Sequence, residues 1–354
     1  MSDCPIPGAW GSLKPEGTGT NGVMILGEAM GEEEAKDGLP FRPHAQAGSV
    51  LERAIRRAGF QREQFVLWNV VPTHPPKDYL VGAPYEQAAI EWGQQALLET
   101  VARYKPRVIL ALGAIATRTA TGLQGRKLGI SNLAGYLLPG RLEGIPVIAS
   151  FHPSYLRRGK MSHFGLLMNC IKFAVRAARN GLRPTEPPLY NPPAGYILHP
   201  TEFQAGTFAD ECEKHDGPIA YDIETAYSVD EETAEEEEGA ITSIQFSIAK
   251  GTGIYLPYRE PYIQLAGRIL SNSKPKLNWN GWRFDNPVLR GNGLDIKGDN
   301  LDMMWLWHQL QPDLPRGLQF AAGQMGWPWP WKHLSDANKE FYGIVDVDVL
   351  QTLI

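Results

Sequence analysis

The chain's 354 residues make room for about two domains, and a composition of 43% hydrophobic and 21% charged residues excludes a disordered or fibrous protein. No run of about 18 apolar residues occurs, and the N-terminus, MSDCPIPGAWGS, lacks a basic flank and an apolar core, so neither a membrane span nor a secretory signal is expected. The net charge of −5 hides an asymmetry: residues 1–180 carry 21 Lys and Arg against 14 Asp and Glu, whereas residues 181–354 carry 13 against 25, so the first half can hold a phosphate backbone by charge and the second can hold cations.

In the first half, short apolar runs at 23–26 (VMIL), 65–71 (FVLWNVV), 107–112 (RVILAL) and 147–151 (VIASF) read as strands. Helix-period segments lie near 46–58, 85–104, 113–121 and 161–180. Alternating elements with fully apolar strands predict a three-layer α/β/α domain around a mainly parallel sheet covered on both faces. In such sheets ligands bind beyond the carboxyl ends of the strands. Three polar stretches follow those ends: GEAMGEEEAKDGLPF (27–41), Asn69 with PTHPP, and HPSYLRRGK (152–160).

Six prolines between 182 and 200 predict an extended connector, giving domains at 1–181 and 203–354 with a linker at 182–202. The run DEETAEEEE (230–238) reads as a mobile, solvated loop. Beyond the linker, PIAYDIET (218–225) reads as a strand ending in two carboxylates. ITSIQFSI (241–248) and GIYLPY (253–258) read as its antiparallel neighbours, PKLNWN (275–280) as a further strand, and GWRFDNPVLR (281–290) as a helix start. The segment from Leu301 onward reads as helical. Three widely spaced cysteines, Cys4, Cys170 and Cys212, exclude a disulfide framework and a four-cysteine metal site, and point to a reducing, cytoplasmic home.

The three loops of the first half carry groups suited to an everted pyrimidine. Phe41 can stack on a base. The Asn69 amide can donate to O4 and accept from N3–H. His152 can donate to O2 as charge builds, and Leu156, Arg157, Arg158 and Lys160 offer an apolar wedge and three cations for DNA. Taken singly, Phe41 reads as core, Asn69 as a turn residue and His152 as a strand-end cap. His44, His74 and His163 read as surface or structural, and the acids of GEEE also suit a helix N-terminus. The blocks GEAMGEEEAKDGLPF, NVVPTHPP and HPSYLRR, in that order, resemble the uracil-DNA glycosylase superfamily, most closely its thermophile-type family 4, across about residues 22–180. The resemblance implies that Glu28 and Ala29 line the uracil pocket. It further implies that Phe41 stacks, Asn69 reads the base edge, His152 stabilises the leaving uracilate, and Glu34 supports the pocket or positions a water. Departures are Met30 in place of proline and Ala35 in place of an acid. Thr73 and Trp92 stand near two cysteine positions of that family's iron–sulfur cluster, so no cluster is expected. The stretch QGRKLGISNLAG has no histidine for covalent trapping.

In the second half, Asp222 and Glu224 lie two apart on one strand face and can reach one metal. Asp285 falls in the first turn of a helix, and Tyr342 and Asp346 lie four apart on one helical face. This order resembles the tyrosine subclass of the DEDD 3′→5′ exonucleases, as found in family A DNA polymerases, across about residues 203–354. The resemblance implies a ribonuclease H-like mixed-sheet fold. It assigns two divalent ions, Mg²⁺ or Mn²⁺, to Asp222, Glu224, Asp285 and Asp346, with Tyr342 orienting the attacking water and Asn280 shaping the site. Asp302 reads as a helix cap, and Asp348 as the weaker rival of Asp346, because it would put Ile344 at the tyrosine position. The chain ends eight residues after Asp346, within a helix that continues in that family, so a polymerase module is expected to follow. The expected whole is a DNA-processing enzyme acting on uracil-containing DNA and on 3′ primer ends. The alternative is a first domain that senses uracil or tethers DNA without excising.

Overall fold

The computed structural model describes residues 4–123, 125, 128–185, 192–229, 236–334 and 338–353, with the backbone alone for 227–229 and 236–239. The chain forms two compact units that part near residue 186. Among the described residues no helix is long and apolar enough to cross a membrane.

The first unit runs β1 (Val23–Ala29), α1 (Glu32–Asp37), α2 (Gln46–Arg57), β2 (Val66–Val71), α3 (Glu86–Tyr104), β3 (Val108–Leu112), α4 (Ala114–Thr121), α5 (Ile130–Leu133), β4 (Leu137–Leu138), β5 (Val147–Ser150), α6 (Pro153–Arg157) and α7 (Phe164–Asn180). The sheet order is β2-β1-β3-β5-β4, parallel throughout except for β4 on β5. Every residue of β2, β3 and β5 is buried, which requires cover on both faces and explains why these strands read as unbroken apolar runs. Helix α3 packs on β2, α4 on β3, α7 on β3 and β5, and α2 on α7. The carboxyl ends of β1, β2 and β5 carry the three polar loops to one edge of the sheet.

The second unit runs β6 (Gly195–Ile197), α8 (Glu202–Lys214), β7 (Ile219–Val229), β8 (Glu236–Ser247), β9 (Thr252–Pro257), α9 (Tyr262–Ser271), β10 (Lys276–Asn278), α10 (Asp285–Gly291), β11 (Asn300–Asp302), α11 (Met303–Leu310), α12 (Leu318–Gln324) and α13 (Lys339–Thr352). Its mixed sheet has the order β11-β10-β7-β8-β9-β6. β7, β8 and β9 are antiparallel, while β10, β11 and β6 join in parallel. Helix α13 packs on β7, β8 and β9. Ile219, Tyr221, Ile244, Phe246 and Leu256 of the sheet meet Phe208 and Ile269 of α8 and α9 in one core, each large apolar side chain contributing about 1.5–3 kcal/mol by leaving water.

Three expectations need correction. The connector is shorter than 182–202, because residues 195–197 already pair with β9 as a sheet strand. Glu236, Glu237 and Glu238 are strand residues paired with Val229, Ser228 and Tyr227, so the acidic run is not all loop; residues 230–235 lie outside the described residues. Leu301 lies in β11, and the helix begins two residues later.

Candidate functional site

The site of the first unit is built on the pairing of β1 with β2, which sets Gly27 opposite Asn69. A Cβ at Gly27 would overlap both Asn69 Oδ1 and Phe41 Cζ, so glycine is what lets the amide and the ring close over the strand. Just beyond, Gly31 caps α1, and the acids Glu32, Glu33 and Glu34 fill its first turn, favourable at a helix N-terminus. The buried Glu34 carboxylate accepts from Phe41 N (2.6 Å), Gly31 N (3.0 Å) and Asn69 Nδ2 (3.2 Å). Burial outweighs these donors and pushes its carboxyl up to about 7. Phe41 is held with φ at 47°, a costly conformation for an aromatic residue that its bond to Glu34 helps to fix.

Because Nδ2 faces a carboxylate, Asn69 turns Oδ1 the other way, and that oxygen is buried with no partner among the described residues. His152 caps α6: its Nδ1 accepts from Ser154 N (3.2 Å) and lies 2.7 Å from Ser154 Oγ. Burial, helped by the Arg158 charge, lowers the imidazole to about 4. The ring is therefore neutral at physiological pH, and with Nδ1 accepting, the proton sits on Nε2. The His152 and Phe41 ring centroids are 6.1 Å apart. Gly113, at φ 89°, passes under His152 so closely that a Cβ would lie 3.2 Å from the histidine Cβ.

A cavity of about 1200 Å³ opens here, lined among others by Glu28, Ala29, Met30, Glu34, Phe41 and His152. Burial, and next the Glu86 charge, raise the Glu28 carboxyl, against Arg158 and Arg118. Asn69 does not line the cavity; it is 1% exposed. Arg157 and Arg158 are exposed at the rim, and Lys160 is exposed nearby in the sequence. Leu156 is not a wedge: it is fully buried, because its position in α6 turns it inward, and Tyr155 is the exposed neighbour. His163 packs edge-on against Phe151 and Tyr155, His74 meets Asp78 at 2.9 Å, and His44 is exposed.

The iron–sulfur cluster implied by family resemblance is not matched by the residues near Cys4. A cavity of about 380 Å³ there is lined by Cys4, Trp10, Trp68, Thr73 and Trp92, and Thr73 Oγ1 donates to the carbonyls of Trp10 and Gly11. One thiol cannot replace four.

In the second unit, β7 brings Asp222 and Glu224 to one face, and α13 brings Asp346 to them. One oxygen from each lies within 4.8 Å of the others. Asp285, at the start of α10, accepts from the Ile223 backbone N–H. Burial raises both Asp222 and Asp285, and the charges of Asp285 and then Asp346 raise Asp222 further. Asp346 Oδ1 accepts from Trp331 Nε1 (2.7 Å), and its Oδ2 from Lys332 Nζ (2.5 Å). Tyr342, one turn before Asp346, is buried; its hydroxyl has no partner among the described residues, and burial pushes it up to about 12. The two rivals go elsewhere. Asp348 accepts from Tyr196 OH (2.6 Å) and Gly251 N (2.7 Å), and Asp302 caps α11 through Met304 N (3.1 Å). Asn280, at φ 64°, donates its backbone N–H to Asp302.

Sequence reasoning missed Gly27 and Ser154 in the first unit and Gln319, Trp331 and Lys332 in the second. Ser154 had a signal, the His-Pro-Ser order of a helix start. WKHL (331–334) had none.

The sequence profile of the uracil DNA glycosylase superfamily matches residues 15–174. The type-4 uracil-DNA glycosylase of Thermotoga maritima is 37% identical over 145 residues, covering 41% of this chain and 71% of that protein. That of Pyrobaculum aerophilum is 32% identical over 146 residues, covering 40% and 71%. Among solved structures, Trypanosoma brucei RNase D in complex with GMP aligns with a TM-score of 0.32 and 17% identity; this chain covers 55% of it, and the alignment takes in 45% of this chain. On the strength of the two glycosylases and the matching profile, with Glu34, Phe41, Asn69 and His152 converging at one sheet edge, the chain belongs, through its first unit, to the uracil DNA glycosylase superfamily.

Proposed function

We propose that the first unit excises uracil from DNA and that the second hydrolyses DNA from its 3′ end. The observation that carries the first reading is the neutral His152 ring, its Nδ1 occupied by Ser154 and its proton therefore on Nε2, beside Phe41. An everted uracil stacks on Phe41. Asn69 is buried outside the cavity lining and must be uncovered for this step: its Oδ1, without a partner among the described residues, then accepts from N3–H, which cytosine lacks, and the second Nδ2 hydrogen reaches O4. The C1′–N1 bond breaks with its electron pair leaving on the base, and His152 Nε2–H donates to O2 as that oxygen becomes anionic. Water adds to C1′, its proton going to the departing base, and we assign the holding of that water to Glu28, a carboxylate of the cavity lining. Glu34 is spent on Gly31, Phe41 and Asn69, so its role is support. Arg157, Arg158 and Lys160 take phosphates.

The nuclease reading rests on the grouping of Asp222, Glu224 and Asp346 with Asp285 beside them. Their hard oxygen donors suit Mg²⁺ or Mn²⁺, and two such ions would neutralise the phosphodiester and acidify a water. The Tyr342 hydroxyl, without a partner among the described residues, would orient that water. The P–O3′ bond breaks, and the water oxygen takes its place on phosphorus. A polymerase module would supply the 3′ terminus.

The test is a 5′-labelled, uracil-containing single strand incubated with the full chain in EDTA, then alkali. Strand breaks at uracil are expected. Tight binding without breaks would establish the sensor reading instead, which the burial of Asn69 outside the cavity lining favours. Adding Mg²⁺ to a uracil-free strand is expected to shorten it from the 3′ end, and an intact strand would end the nuclease reading.

A further inference from the structure

The carboxylates of the second unit already face a cation. Lys332 Nζ lies 2.5 Å from Asp346 Oδ2, and its charge also acts on Asp222 and Glu224. These are the three acids whose oxygens lie within 4.8 Å of one another. The lysine is anchored at its backbone rather than swinging in from a loose loop. The N–H groups of Trp331 and Lys332 donate to Gln319 Oε1 at 2.7 and 2.6 Å, and Gln319 is buried on α12. The Trp331 ring is fully buried, and its Nε1 takes the second Asp346 oxygen. Both oxygens of Asp346 are thereby engaged, one by an indole N–H and one by an ammonium. An oxygen spent on an ammonium is not offered to a divalent ion, and two cations on one carboxylate repel. The Lys332 side chain is 39% exposed, so its amine has a route to water when pushed out.

We propose that Lys332 is a resident counter-ion: it neutralises the Asp222, Glu224 and Asp346 group while no divalent ion is bound, and an ion loads the site only by displacing it. The proposal rests on the reading of these acids as metal ligands. It gives the nuclease a threshold in divalent-ion concentration that the glycosylase pocket does not share.

The test is Mn²⁺ titration of the full chain, followed by the electron paramagnetic resonance of free Mn²⁺, with site binding defined as that lost in Asp222→Asn. Lys332→Met and Lys332→Gln are expected to bind Mn²⁺ about tenfold more tightly than wild type or better. In EDTA both are expected to melt at a lower temperature, because the acids then face one another bare. Lys332→Gln still donates a hydrogen bond to Asp346 and guards against a folding failure of the methionine variant. Trp331→Phe frees the other Asp346 oxygen without removing charge, and is expected to stay close to wild-type affinity. Unchanged affinity in both lysine variants, or equal tightening in Trp331→Phe, overturns the counter-ion. Absence of site binding in wild type and both lysine variants overturns the metal-ligand reading along with it.

Discussion

Adding a single methyl group at Gly27 tests the whole uracil pocket. Gly27 has no left-handed backbone angle, so Gly27→Ala carries no dihedral penalty and its effect is packing alone. The new Cβ would overlap Asn69 Oδ1 and Phe41 Cζ, closer than real Cβ atoms approach anything. Neither neighbour can easily yield. Asn69 sits within β2 with its amide on Glu34, and Phe41 is tied to the same carboxylate by its N–H. Overpacking of this kind costs about 1–3 kcal/mol, which lowers the melting temperature of a unit this size by about 2–4 °C for each kcal/mol. If the Asn69 amide reads the base as proposed, displacing it by ~1 Å costs on the order of 100-fold in excision. Excision in EDTA and differential scanning fluorimetry read both, with 3′ degradation in Mg²⁺ as the control, expected to hold at the wild-type rate. Wild-type excision together with an unshifted melt would refute the idea that Phe41 and Asn69 pack on Gly27 to shape the pocket.

The lowered His152 pKa makes a signed prediction. Its folded value, about 4, lies below the ordinary 6.5, so its contribution to stability is complete above pH 6.5 and is lost as pH falls toward 4. The stability gap between wild type and His152→Gln, by urea denaturation, should narrow across that window, and excision should show no inflection near 6.5. Glu34 acts oppositely: raised from 4.5 to about 7, its contribution is fully present below pH 4.5 and is lost as pH rises through 7. Tyr342→Phe removes a buried hydroxyl that nothing described satisfies, so stability should hold or rise by up to ~1 kcal/mol while 3′ cleavage collapses. A destabilised variant would show that the hydroxyl has a structural partner. Leu156→Ala should cost about 2–5 kcal/mol by urea denaturation, as a core truncation does; a stability within ~0.5 kcal/mol of wild type would restore it to the DNA face.

Periodicity carried most of the first unit, because a parallel sheet covered on both faces writes its strands as unbroken apolar runs. Loop motifs carried Phe41 and His152 to one sheet edge. Leu156 was misread because a five-residue helix has too few positions for a face to show in the sequence. Gly27 was invisible because its function is the absence of a side chain that two distant residues need. In the second unit Asp346 was told from Asp348 by the tyrosine four residues before it, and the structure turns the two to different partners, Lys332 and Tyr196, as residues two apart on a helix lie on nearly opposite faces. Lys332 was not legible, because its position depends on Gln319 holding its backbone, a contact that no spacing rule records.

One consequence of the Tyr196–Asp348 bond concerns how the protein can be dissected. It latches the earliest strand of the second unit to its latest helix, the helix that also carries Asp346. A second-unit piece started at residue 203 would lose β6, strip β9 of its parallel neighbour and leave the Asp348 carboxylate without its phenol partner. Cut points for an autonomous second unit therefore belong upstream of Gly195, where β6 begins.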